Sequence, residues 1–229
     1  MAVPTVKMTV HASGAAAAGA AGDIVVIVDV IDMSTTLEAA LDEGALAVFG
    51  AAPDRAAPPV TVNPTGIGKI AGKLAVTKGA GVVLAGEPRV GDDQERLANM
   101  SKTVEGLKQA GATIEAVLPN LGAETVKLYD LRDKVVIAAT GTGGVAFDAA
   151  ITAGASAVIT GTVARTRHKK GHAPARAAAQ RAVELVRETG AGITVVAASG
   201  NSLEDILAAE FITRLILEKL NAHPDCWHL

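Results

Sequence analysis

The stretch VVIVDVIDMSTTLEAALDEGA, residues 25–45, passes from an unbroken β-branched run into a helical pattern through one short polar turn. A run apolar on both faces belongs to a buried parallel strand, and a helix directly after it makes the βα unit of such sheets. Thr35 and Glu38 stand three apart as a capping box, Leu37, Ala40 and Leu41 share one face, and Gly44 suits the position just past the helix end. Asp29 is the anomaly. An unpaired carboxylate in an apolar interior is costly, so it needs a partner or a place at the sheet edge where the strand stops.

The same grammar repeats along the chain, with strand runs expected at 24–28, 45–49, 82–85, 113–118, 134–139, 156–160 and 193–198. Helices are expected from about Thr35, over 94–111, after TGTGG to Ala153, from Pro174 to near Gly190, and over 203–220. Residues 52–69, APDRAAPPVTVNPTGIGK, hold four prolines and read as a long irregular connection. This Pro-rich insertion, at about 52–72, is a candidate lid or oligomer contact, or a plain solvated loop. No composition break divides the 229 residues, so the expectation is one α/β domain: a three-layer α/β/α sandwich with a mostly parallel or mixed central sheet.

Composition narrows the function. Apolar residues make up 49% of the chain, enough for a sizeable core, while aromatics are only 2%. The net charge of -3 and the scarcity of stacking rings make nucleic acid an unlikely partner. Cys226 is the single cysteine, so no internal disulfide is possible. The VVIV run is far short of the ~20 apolar residues of a membrane span, and the alanine tract near the N-terminus lacks the apolar block of a signal peptide. A cytoplasmic location without a membrane partner is the expectation. The Ala-rich segment APARAAAQRAVELV could pack against a second subunit, which makes a homodimer the oligomer to look for.

In an open parallel sheet the loops leaving the strand C-termini gather on one edge, where ligands bind. The turns at Asp29, Glu87, Thr140, Thr162 and Ser199 should therefore be neighbours. TGTGG, with Thr140, Gly141, Thr142 and Gly143, either receives an anion on helix-start N–H groups or is an ordinary tight turn; it is neither a Walker loop nor GxGxxG. SGNSLED offers Ser199, Gly200, Asn201 and Ser202 for an anion with Glu204 or Asp205 for a metal, yet Asn201/Glu204 and Ser202/Asp205 are also complete as capping boxes. Asp29, Asp32 and Glu87 at one edge suit Mg²⁺, which prefers oxygen ligands shared with phosphate and water, or else serve as helix-start anions. ARTRHKKGHAPAR groups seven basic side chains as an acid-recognition loop, a solvated loop or a nucleic-acid patch. No GxSxG elbow, CxxC pair or HExxH pattern occurs.

Together these turns resemble the 2-phosphosulfolactate phosphatase family, whose opening strand runs into Asp-Val-Leu-Arg-Ala-Ser/Thr-Thr-Thr and a helix ending in Gly-Ala. Asp29, Val30, Ser34, Thr35, Thr36, Gly44 and Ala45 match that opening. AGEP, KVVIAATGTGG, VITGTVAR and SGNSLEDILAAE follow the order of the family's later turns, and Asn99 and Ser101 correspond to part of another. Asp32 stands where the family usually has Arg. The resemblance spans about residues 24–217 and implies Mg²⁺-dependent hydrolysis of a phosphate ester on a small sulfonated acid, in coenzyme M synthesis. On that reading Asp29 and Glu87 hold the Mg²⁺, with Glu204 as a further catalytic carboxylate. Ser34, Thr35, Asn99, Thr162 and the two Gly-containing turns bind substrate, and Arg165 takes a second acidic group. The alternative from a different class is a non-catalytic protein of the same fold that binds an anionic metabolite or cofactor.

Overall fold

The computed structural model describes residues 4–221; Cys226 lies outside them. The chain runs β1 (Val6–Val10), α1 (His11–Ala20), β2 (Ile24–Val28), α2 (Met33–Asp42), β3 (Ala47–Ala51), α3 (Pro64–Lys78), β4 (Val82–Gly86), α4 (Asp93–Ala98), α5 (Ser101–Gln109) and β5 (Ile114–Pro119). A 3-10 turn (Gly122–Lys127) follows, then β6 (Val135–Ala139), α6 (Gly143–Ala153), β7 (Ala157–Gly161), α7 (Ala173–Thr189), β8 (Ile193–Ala197) and α8 (Leu203–Asn221). The α/β class and the parallel pairing hold throughout, but the strands form two sheets of four. Their orders are β1-β8-β2-β7 and β3-β6-β4-β5, and every pairing is parallel.

Sequence explains which strands lie inside. IVVIV, VVLAG, VVIAA and ITVVA are buried at every position and occupy the inner places of their sheets. Strands carrying partly exposed or charged positions, such as VKMTV and IEAVLP, take the edges, as solvent access requires. Each sheet is the centre of an α/β/α sandwich, and the two sandwiches share a helical layer. In that shared layer Ala15 and Ala18 of α1, Leu37 and Ala40 of α2, and Phe147 and Ala150 of α6 pack between Val25 and Ile27 of one sheet and Val83, Val136 and Ala138 of the other. The outer layers are α7 with α8 on one side, and α3 with α5 on the other.

Several local expectations change. A strand and helix, β1 and α1, precede the run that begins at Ile24. The insertion expected over 52–72 is irregular only to Asn63: Asn63 caps α3 by accepting from Gly66 N at 2.9 Å, with Pro64 in the first turn. The helix expected over 94–111 is broken at Asn99 and Met100 into α4 and α5. Thr35 and Glu38 lie inside α2 and form no capping box; buried Glu38 instead accepts from Thr160 Oγ1 at 2.6 Å and pairs with Arg181. The alanines of α7 that suggested a dimer contact, Ala175, Ala178, Ala179 and Ala182, are fully buried within this chain. No helix among the described residues is long and apolar enough to cross a membrane.

Candidate functional site

Because all strands run parallel, their C-terminal turns face one rim, and two turns from different sheets meet there directly. Asp29, just past β2, is 3% exposed and its Oδ2 accepts from Thr142 Oγ1 at 2.9 Å and Gly143 N at 2.7 Å. The buried carboxylate of the opening motif is thus the anion seated on the start of α6. Gly143 must be glycine for this contact, since a Cβ there would lie 2.3 Å from Asp29 Oδ2. Burial raises the Asp29 pKa, Thr142 opposes the rise, and the neighbouring charge of Asp32 adds to it.

A second buried carboxylate ties β8 to β2. Asp205 accepts from Val30 N at 2.8 Å and Ser199 N at 3.2 Å, while its own N–H donates to the capping Ser202 Oγ at 3.3 Å. Its pKa is pushed up to about 6, first by burial and then by the Asp29 charge, against the two backbone donors. Glu204, the expected catalytic carboxylate of this segment, is exposed instead, because it lies one helical position from the face that packs inward.

The turn residues divide into a lined cleft and a buried frame. Gly141, Thr142, Ser199 and Asn201 line one hollow of about 350 Å³ with His11, Ser13, Pro58 and Pro59. An adjoining hollow of about 440 Å³ shares Pro58, Gly141 and Val145 with it and adds Pro53 and Arg55. The first hollow takes in the first turn of α1 and the turns that lead into α6 and α8. His11 has φ 65, an unfavourable value for a residue with a side chain, and its Nδ1 accepts from Gly200 N at 3.3 Å. That bond leaves Nε2 to carry the proton of the neutral ring. Gly200 packs against the imidazole, where a Cβ would come within 2.6 Å of Nε2. Arg55 is exposed and makes no hydrogen bond or ion pair among the described residues.

Other expected substrate groups are spent on the protein itself. Ser34 Oγ donates to Ile27 O and accepts from Asp29 N, and Thr35 bonds Val30 O at 2.5 Å and Thr162 Oγ1 at 2.8 Å. Thr140 Oγ1 accepts from Gly144 N at 2.9 Å, and Asn99 Nδ2 donates to the Glu87 carbonyl at 3.1 Å. These side chains shape the turns without facing the cleft. Arg165 lines a different hollow altogether, beside α2.

Glu87 and Asp32 are joined through Arg89, which pairs with both. Asp29 is docked on the start of α6, and Glu87 has the Arg89 guanidinium as a counter-charge. Among the described residues no group of three His, Cys, Asp or Glu side chains could hold a metal ion. His11 and Arg55 escaped the sequence reading. A usable signal was present for His11, because VKMTV followed by an Ala-rich tract repeats the strand–turn–helix grammar. Arg55 had none beyond its place in the Pro-rich loop.

The chain matches no family model, and a search among curated proteins finds no match.

Proposed function

We propose that the cleft binds a small anionic metabolite carrying a phosphate or sulfonate group, and that the protein acts on such a ligand in the cytoplasm. One observation carries this reading: the uncapped start of α1, with His11, meets the turns that lead into α6 and α8 at a single hollow, with Arg55 lining the hollow beside it. The start of α1 has no side-chain cap, so its N–H groups are free donors for anionic oxygens, and the exposed Arg55 guanidinium supplies charge.

Calorimetric titration with inorganic phosphate, sulfate and a panel of short phosphate and sulfonate acids tests the reading. Saturable binding is expected, weakened about tenfold by Arg55→Gln or His11→Ala, a loss of about 1.4 kcal/mol. Absence of heat with every acid in the panel would sink it.

A second reading is the Mg²⁺-dependent phosphatase of the 2-phosphosulfolactate phosphatase type. It is favoured by the pairing of two buried carboxylates, Asp29 and Asp205, in which the charge of the first raises the pKa of the second. Phosphate release that requires added Mg²⁺ and disappears in Asp29→Asn would promote this reading over simple binding. Ligand binding without turnover would remove it.

A further inference from the structure

The Pro-rich connection between β3 and α3 is pinned at its ends and loose between them. Asp148 of α6 accepts from Ala52 N and Asn63 N, Asp54 N donates to Asn99 O at 2.8 Å, and Ala56 N closes a turn on Pro53 O at 2.9 Å. From Ala57 to Val62 neither main chain nor side chain makes a hydrogen bond or ion pair among the described residues. None of residues 53–62 is buried or belongs to a packed apolar cluster. Lids are drawn from segments held this weakly, because little free energy is given up when they move.

This strap borders hollows and not packed side chains. Pro53, Arg55, Ala56 and Ala57 line the hollow of about 440 Å³, and Pro58 and Pro59 line the one of about 350 Å³. Val60 and Thr61 line a third, of about 520 Å³, opposite Ala17 and Ala20 of α1 and Thr152 of α6. Space therefore lies beside the strap along most of its length.

The strap is also stiff in its middle. Pro58 and Pro59 have a fixed φ, and each holds the residue before it extended, so freedom to turn is left near Asp54 and Asn63. Arg55 is the one charged side chain in residues 55–62; it is exposed and lines the hollow next to the uncapped start of α1. An anion seated at that start attracts the guanidinium, and the guanidinium carries the strap with it.

We propose that residues 55–62 are a lid, which an anion held in the strand-end cleft draws shut through Arg55. The inference rests on the anion-binding reading of that cleft and adds how the site closes. Closure takes the ligand out of water, which strengthens its attraction to the α1 start and to Arg55. It also covers the N–H groups of Ala57, Val60, Thr61 and Val62, which no acceptor in the described residues holds.

Amide hydrogen exchange read by mass spectrometry on the full chain tests the lid, with and without inorganic phosphate at a concentration that calorimetry shows to be saturating. These N–H groups exchange without unfolding, so stabilisation of the whole fold by a ligand does not slow them. Val60 and Thr61 line neither hollow of the anion cleft, so slower exchange at 60–62 reports movement of the strap and not contact with phosphate. Phosphate is expected to slow exchange at 60–62 about tenfold. In Arg55→Gln, with phosphate raised to saturation again, exchange at 60–62 should stay as fast as in the free protein. Phosphate heat with unchanged exchange at 60–62 overturns the lid and leaves the anion site standing, and so does equal protection in Arg55→Gln. No phosphate heat at millimolar concentration overturns the lid, and the same silence from every other acid of the panel removes the cleft reading with it.

Discussion

Gly143 and Asp29 show how much one missing methyl group can specify. Alanine at 143 would press on Asp29 Oδ2 and break its bonds to Thr142 and Gly143 N, leaving a buried carboxylate short of donors. Gly143→Ala should cost about 1–3 kcal/mol in urea unfolding. Asp205 makes a pH prediction with a definite sign. Its folded pKa is about 6 and its unfolded value is near 4, so between those limits the native state keeps a proton that the unfolded chain releases. Its contribution therefore makes stability fall as pH rises from about 4 to about 6, with no further change above. Asp29, Glu38 and Asp148, all raised by burial, push in the same direction. Asp205→Asn should flatten the slope of unfolding free energy against pH in that window; an unchanged slope would assign the effect to the other three.

The Pro-rich connection is an element with anchors, and one carboxylate holds both its ends. Asp148 of α6, itself wholly buried, accepts from Ala52 N at 3.2 Å and Asn63 N at 2.7 Å, while Asp54 caps α5 through Ser101 N at 2.7 Å and Lys102 N at 3.1 Å. Asp148→Ala leaves both loop N–H groups without their acceptor. We expect faster proteolysis within residues 53–62, weaker anion binding in the strand-end cleft and little change in helix content by circular dichroism. The neighbouring helix α3 was hidden in the sequence by Gly66, Gly68 and Gly72, which lower helix propensity. Packing explains two of them: a Cβ on Gly68 would lie 2.1 Å from Thr103 O, as one on its neighbour Gly106 would lie 2.1 Å from Thr65 O, and a Cβ on Gly72 would lie 2.7 Å from Ala110 Cβ. The strands from β2 onward were legible because β-branched runs announce themselves, whereas β1, VKMTV, carries a lysine and a threonine at alternate positions and was not expected. Site residues were legible only as turns, since spacing places Ser34, Thr35 and Thr162 on the rim but cannot say that their hydroxyls point into the protein.

Two sheets sharing one layer of helices is a property of the whole molecule, and no strand run encodes it, because each βα unit reads the same whichever neighbour it pairs with. The shared layer tolerates little bulk. A Cβ on Gly19 would sit 2.4 Å from Ala150 O, where α1 passes α6. Gly19→Val should cost about 1–3 kcal/mol through overpacking. Because the same layer serves both sheets, the loss should lower the midpoint of one shared transition in far-UV circular dichroism and amide exchange. Two separate transitions would mean that the sheets unfold independently. The strand-end cleft straddles these slabs: His11 and Ser199 follow strands of one, Gly141 and Pro53 follow strands of the other. An occupant gripping both banks would act as a rivet, so that sliding of one slab past its companion would loosen the hold, and a filled seat would brake the sliding.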